Sequence, residues 1–381
     1  MKRQDLIKNS NRVVIKIGSS LLINKETGKL QKKWLASLAL DINNFVALGK
    51  EVLLVSSGSI ALGKKQLDLG ENLSLDEKQA AAAIGQINLA HAWKESLSSY
   101  DLNVAQILLA PDDTETRRKH LNARATLMKL IQLNVIPVIN ENDTVATEEI
   151  RFGDNDRLAS RVAQMCSADL LILLSDINGL YSSDPNKNKD ALFIEKIDNI
   201  TDEIEHMAGP PHSSVSSGGM ITKIEAAKIA NNAGCHMIIC DGRDNNPLQK
   251  LQKENQKFSW FEATNKPMNA RKQWISGALQ VKGQIIIDKG ATKAVISGNS
   301  ILSAGIVATD GIYEKGDLIK VLDEKNNIIG KGLIHFNHKE VDLIKGFKSE
   351  NIESILGYRG KDEVVHRDDF VVEKIKVKQN E

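Results

Sequence analysis

Cysteine is scarce in this chain. Cys166, Cys235 and Cys240 are the only three in 381 residues. Their number is odd, their surroundings are apolar, and their spacing fits neither a zinc site nor a redox pair, so they read as core thiols of a cytoplasmic protein. Neither sign of charge dominates: 50 Lys and Arg stand against 49 Asp and Glu, which gives no argument for nucleic acid, a membrane surface or a polyanionic partner. Long apolar runs are missing too. Charges interrupt every hydrophobic stretch before it reaches membrane-spanning length, and the start, "MKRQDLIKNSNR", has no apolar signal region, so a soluble, non-exported chain with no membrane partner is expected. None of the eight histidines falls in a motif with chemistry, and no Ser-His-Asp or Cys-His arrangement is visible, which disfavours hydrolysis through an activated nucleophile.

What is present is an alternation. Short β-branched runs ("RVVIKIG", "EVLLVSS", "VAQILLA", "VIPVIN", "DLLILLS", "HMIICDG") alternate with segments of helical period over 33–48, 75–100 and 119–133, after Asp156 and after Gly219. This is the pattern of an α/β fold. The strands are nearly all apolar, as in a mostly parallel sheet covered by helices on both faces. Such sheets collect ligands beyond the carboxyl ends of their strands. Polar groups follow several of these runs directly: Gly18-Ser19-Ser20, Ser56-Ser57-Gly58, Asn140 to Asp143, and Ser175-Asp176.

The length favours two domains. The alternation covers 12–262 and ends in a polar, proline-containing stretch, "TNKPMNARKQW", so 263–275 reads as a linker. Beyond it, 276–372 reads as a small β-rich domain with strand-like runs "QIIID", "KAVI", "DLIKVLD", "IIGKGLI" and "DFVVEKIKV", a helix near 339–345, and a tail over 373–381.

Four stretches invite chemistry. "GSIALGKK" (58–65) resembles a P-loop but has Lys65 where the magnesium-binding hydroxyl belongs, and its middle looks like a first helical turn. Lys16 interrupts the strand "VVIKIGSS". It lies on an edge or reaches solvent, or it is a buried ammonium that needs a phosphate or a carboxylate such as Asp156. In "SSGGMITK" (216–223) a Gly-Gly pair opens a helix with an apolar stripe at Met220, Ile224 and Ala227. Either it is a loop before an ordinary helix, or Gly218 and Gly219 present free N–H groups to an anion with Lys223 one turn in. The fourth stretch holds Asn140, Asn142, Asp143, Asp154, Asn155 and Asp156. A calcium loop from Asp154 is excluded by Ala159 at its sixth position and Met165 at its twelfth. Helix capping accounts for one side chain. Short acceptors beside donating amides suit the ammonium and carboxylate of an amino acid. An amino acid beside a phosphate points to phosphoryl transfer, which needs positioning and charge neutralisation. A carboxylate acceptor would also explain the missing general base.

With those residues on the page, the chain resembles the amino acid kinase family, and within it the kinases that phosphorylate glutamate. The likeness rests on "VVIKIGSSLL", "VLLVSSGSIALG", "AAAIGQINLAHAW", "LNARATLMKLI", "VIPVINENDTVAT", "GDNDRLAS", "LLILLSDINGLYSSDP" and "GGMITKIEAAKIANNAG", in that order. The C-terminal part resembles a PUA domain through "GQIIIDKGATKAVI", "SILSAGI", "ILGYRG" and "VVHRDD". The resemblance implies an αβα sandwich with a mostly parallel central sheet, and an ATP-dependent phosphorylation of the side-chain carboxylate of L-glutamate to L-glutamyl 5-phosphate, the first step of proline biosynthesis. It implies that Lys16 and Lys223 neutralise phosphate charge and that Asp156 holds them. Ser57, Gly58, Asn140, Asp143, Asp154 and Asn155 would bind glutamate. Ser175, Asp176, Ser217, Gly218, Gly219, Met220, Ile221 and Thr222 would join Lys16 and Lys223 around ATP. Mg²⁺ would enter through the nucleotide phosphates, proline would inhibit at an overlapping site, and the chain would form a dimer or tetramer. Other acceptors within the family stay open. The family usually has Thr at 19, 175 and 217, where this chain has Ser, and Gly at Ser216, where a Cβ narrows the conformations of the phosphate loop. RNA binding by the PUA-like part is not expected, because 281–374 carries fourteen basic and fifteen acidic residues.

Overall fold

The computed structural model describes residues 3–24, 26–145, 155–208, 219–253, 255–277 and 280–373. The chain divides into two compact units, Met1–Pro267 and Met268–Glu381.

The first unit contains strands β1 (Arg12–Ile17), β2 (Glu51–Ser56), β3 (Asn103–Leu109), β4 (Val135–Glu141), β5 (Leu170–Ser175), β6 (Leu180–Tyr181), β7 (Phe193–Ile194), β8 (Lys196–Ile197), β9 (His236–Asp241) and β10 (Phe258–Phe261). Its helices are α1 (Arg3–Asn9), α2 (Ser19–Leu22), α3 (Lys32–Ala47), α4 (Ser59–Gln66), α5 (Leu75–Ser98), α6 (Pro111–Glu115), α7 (Arg117–Gln132), α8 (Asn155–Cys166), α9 (Asp202–Met207), α10 (Met220–Asn232) and α11 (Pro247–Leu251). Eight strands form one sheet in the order β3-β4-β2-β1-β5-β9-β10-β8. Every adjacent pair in it is parallel except β9 with β10. β6 and β7 form a separate antiparallel pair.

Alternation along β1 explains the layers. Val13, Ile15 and Ile17 pack with α3 (Leu35, Leu38, Phe45) and α5 (Leu89, Trp93). Val14, with Leu53 and Val55 of β2, packs on the opposite face with α8 (Leu158, Val162) and α10 (Ile224, Ala227). Successive side chains of a strand point to opposite faces, so both faces need an apolar helical cover. The result is an αβα sandwich. Lys16 shares the parity of Val14 and pairs with Val55 and Leu173 on its two neighbouring strands. It therefore lies on an interior strand, which rules out the edge-strand alternative.

The second unit comprises β11 (Val281–Ile287), α13 (Lys289–Ile296), β12 (Ile301–Leu302), β13 (Ile306–Gly311), β14 (Leu318–Asp323), β15 (Ile328–Ile334), α14 (His338–Ile344), α15 (Ile352–Leu356) and β16 (Glu363–Val372), preceded by α12 (Pro267–Gly277), which begins at the last residue of the first unit. Its six-stranded sheet runs β12-β16-β15-β14-β11-β13, with only β11 and β14 parallel. Two expectations need correction. "KAVI" is the end of helix α13, because Asp288 caps it by accepting from the Ala291 N–H at 2.7 Å and Val295 turns into the core. The stretch read as a linker is helical from Pro267 onward. Proline is favoured in a first helical turn, and Ala270 and Ile275 are buried.

Candidate active site

Four neighbouring strands, β4, β2, β1 and β5, end on one edge of the sheet. That edge collects Asn140 at the end of β4 and Asp143 just after it, Ser57 and Gly58 after β2, Gly18 after β1, and Ser175 at the end of β5 with Asp176 after it. Helices α8 and α10 begin beside it, starting at Asn155 and Met220. The turn out of β2 depends on Gly58. Its φ is +114°, a left-handed conformation that favours glycine.

Asp156 is the electrostatic centre. Its Oδ1 lies 2.7 Å from Lys16 Nζ, and its Oδ2 lies 2.9 Å from Lys223 Nζ. The carboxylate is 1% exposed, Lys16 8% and Lys223 4%, so one buried anion serves two buried cations. The Thr222 hydroxyl lies 3.0 Å from Oδ2 and 2.8 Å from the Gly219 carbonyl. Burial alone would raise the Asp156 carboxyl, but the two ammonium groups outweigh it and hold it well below the usual carboxylate range. The three residues together carry a net charge of +1.

Next to this cluster runs a network of amides. Asn155 Nδ2 donates to Ser57 Oγ at 2.7 Å and to Asn140 Oδ1 at 2.9 Å. Asn140 Nδ2 donates to Gln86 Oε1 at 2.8 Å and to Ser59 Oγ at 3.3 Å. Ser59 donates to Asp143 Oδ2 at 3.0 Å. Burial raises the Asp143 carboxyl, partly offset by the Ser59 hydrogen bond. Gln86 and Ser59 were absent from the sequence reading of the site. Gln86 sits in the middle of α5 with no local signature, and Ser59 is the first residue of α4, directly after the Ser57-Gly58 turn; only the packing of α4 on α5 brings the two together. That packing is backbone to backbone: a Cβ on Gly63 would lie 1.7 Å from the Ala81 carbonyl oxygen, and one on Gly85 would lie 1.8 Å from that of Ser59. The second glycine of the P-loop look-alike thus serves helix contact. Trp93 anchors α5 by donating to Ser56 Oγ at 2.9 Å.

On the other side of Lys16, Ser175 is buried and donates to Asp176 Oδ1 at 3.2 Å, while Asp176 is exposed. Gly219 extends into α10 with no side-chain cap, and Met220, Ile221 and Thr222 are half-buried in its first turn. Asp154, Ser216, Ser217 and Gly218 lie outside the described residues. Among the described residues no group of three or more His, Cys, Asp or Glu is arranged to hold a metal, and no helix is long and apolar enough to cross a membrane.

The sequence profile of the amino acid kinase family matches residues 11–241, which include Lys16, Asp156 and Lys223. The chain belongs to the amino acid kinase family. Outside the part that matches this family, a PUA domain profile matches residues 283–356. Relatives match along nearly the whole length. A glutamate 5-kinase of Paramagnetospirillum magneticum is 50% identical over 364 residues, 96% of this chain and 98% of that protein. One from Rhodopseudomonas palustris (strain BisB18) is 50% identical over 373 residues, 98% and 99% of the two chains. One from Rhizobium rhizogenes is 52% identical over 362 residues, 95% and 92%.

Proposed function

We propose that this protein transfers the γ-phosphoryl group of ATP to the side-chain carboxylate of L-glutamate, giving L-glutamyl 5-phosphate and ADP, the first step of proline biosynthesis. The observation that carries the reading is the shared buried anion: Lys16 and Lys223 both converge on Asp156, at 2.7 and 2.9 Å, beside a cluster of amides and a carboxylate. A carboxylate oxygen of glutamate attacks the γ-phosphorus, the bond from phosphorus to the bridging oxygen breaks, and ADP leaves with the electron pair. No proton moves, so no general base is required. The two ammonium groups meet charge on the nucleotide and on the migrating group, and Asp156 keeps them in place. Relatives named glutamate 5-kinase at half identity support glutamate over another carboxylate.

In this reading Ser57, Gly58, Asn140, Asp143, Asp154 and Asn155 hold the amino acid. Ser175, Asp176 and the start of α10 from Ser217 to Lys223 hold the nucleotide with Lys16, and Mg²⁺ arrives with the phosphates. The kinase part spans 12–262 and the PUA-like part 276–372. Proline competes at the glutamate site, the chain works as a dimer or tetramer in the cytoplasm, and the PUA-like part serves regulation or assembly. The test is ADP formation from ATP and Mg²⁺ with and without L-glutamate. Glutamate-dependent ADP is expected. Turnover with aspartate or another carboxylate in its place would move the chain elsewhere in the family.

A further inference from the structure

In the amide network two buried polar atoms have no hydrogen-bond partner among the described residues: Asn155 Oδ1 and Gln86 Nε2. Orphaned buried groups are rare in native proteins and call for an explanation. The direction of the network supplies one. An ionised Asp143 can only accept, so the Ser59 proton is committed to it and Ser59 Oγ is left as an acceptor toward Asn140. Gln86 Oε1 is a second acceptor on the same side. Together they turn both amide protons of Asn140 inward, so Asn140 Oδ1 faces Asn155. Both protons of Asn155 are then used, on Asn140 and Ser57. Its oxygen alone remains, buried, with no donor among the described residues. Flipping any one of the three amides would set donor against donor or acceptor against acceptor. The Gln86 Nε2 orphan is the residue of the same constraint. Gln86 lines a cavity of about 210 Å³, shared with Asn142 and Asp143, roomy enough for a water to accept from it.

We infer that Gln86 and Ser59 are positioning residues that fix the sense of the Asn140 and Asn155 amides, so that the site presents the Asn155 oxygen and Asp143 as acceptors and selects an acceptor molecule bearing an ammonium group. This rests on the kinase reading above and deepens it. Gly63 and Gly85 bring their two helices close enough for both side chains to reach Asn140. Specificity built on buried hydrogen-bonding groups is steep, because the wrong ligand leaves them unpaired.

The experiment compares L-glutamate with glutarate, the same dicarboxylate without the ammonium, on the full chain. The KM for glutamate and the inhibition constant of glutarate are measured for wild type, Ser59→Ala, Gln86→Met and the double variant, together with the KM for ATP. Losing the acceptor presented to the ammonium weakens glutamate and leaves glutarate alone, so discrimination is expected to fall about tenfold in the double variant, the scale of one buried polar contact to a charge. Either single variant should lower it about threefold, intermediate between the two, with the KM for ATP unchanged. A purely structural role would weaken both dicarboxylates and ATP together. Unchanged discrimination in any folded variant, or a parallel loss for glutarate and ATP, overturns the inference. If the double variant does not fold, the singles decide. A wild-type chain with no glutamate-dependent ADP overturns the kinase reading instead.

Discussion

Replacing Asp156 by Asn keeps the shape of the side chain and removes the anion that Lys16 and Lys223 share, at 2.7 and 2.9 Å from its two oxygens. Both ammonium groups then stay nine-tenths buried without that counter-charge. Breaking a buried ion pair from one side costs about 3–5 kcal/mol. The two pairs share one carboxylate, so their losses do not add. For a domain of this size class each kcal/mol lowers the melting temperature by roughly 2–4 °C, which places the variant roughly 6–20 °C below wild type. The pH dependence gives a sharper signature. In the variant, burial favours the neutral amines, so the unfolded chain binds more protons than the folded one, and stability rises with pH up to the ordinary lysine range of about 10. ATP with Mg²⁺ should restore much of the loss, because the phosphates replace the missing anion. Thermal unfolding followed by circular dichroism at pH 7 and pH 9, with and without nucleotide, is the assay. A variant that melts within about 2 °C of wild type, less than 1 kcal/mol on that scale, and shows no gain at higher pH, would refute the electrostatic account of Asp156.

Other expectations follow from the same geometry. Lys223→Met should lower turnover about 10²- to 10³-fold, the scale of removing one group that stabilises transition-state charge, yet cost less stability than Asp156→Asn because Asp156 keeps Lys16; near-normal turnover would remove Lys223 from the chemistry. Burial raises the Asp143 carboxyl, so just above the ordinary carboxylate value of about 3.9 part of the free protein holds a proton there. A docking ammonium favours the ionised form, so glutamate binding should release protons at mildly acidic pH and none once the pH has passed the raised value. Calorimetry in buffers of different ionisation heat would detect this, and proton uptake would contradict it. Gly63→Ala, with its new Cβ 1.7 Å from the Ala81 carbonyl oxygen, should cost at least the roughly 1–3 kcal/mol of overpacking and raise the KM for glutamate by moving Ser59. Urea unfolding at wild-type stability would show that α4 and α5 are not in backbone contact.

The layered fold was legible because parallel strands covered on both faces have to be almost wholly apolar, and the runs at β1, β2, β4, β5 and β9 stand out for that reason. Strands β8 and β10 were not read, since two and four residues give no period to detect. The helix α13 was misread over "KAVI" because a short apolar run has the same composition in either state, and its Asp288 cap lies outside the run. Helix α12 was hidden by Pro267, which punctuates a loop and a first helical turn alike. At the site, the strand-end residues were visible as polar groups immediately after apolar runs, and Lys16 as a charge within one. Gln86 and Ser59 lie in stretches that carry the family resemblance, but nothing in the sequence gives them a role at the site. They reach Asn140 from 54 and 81 residues away, through a helix contact whose signal, glycines at 63 and 85, reads in sequence only as weakened helix.

The central claim is that the side-chain carboxylate of glutamate attacks the γ-phosphorus. It is tested most directly with L-glutamate carrying ¹⁸O in that carboxylate, turned over with ATP and Mg²⁺ in the presence of hydroxylamine. Hydroxylamine captures an acyl phosphate at its carbonyl carbon and releases phosphate with the bridging oxygen. The account predicts γ-glutamyl hydroxamate together with inorganic phosphate containing one ¹⁸O atom per turnover. Phosphate free of the label, with ADP still produced, would mean that water and not the carboxylate receives the phosphoryl group.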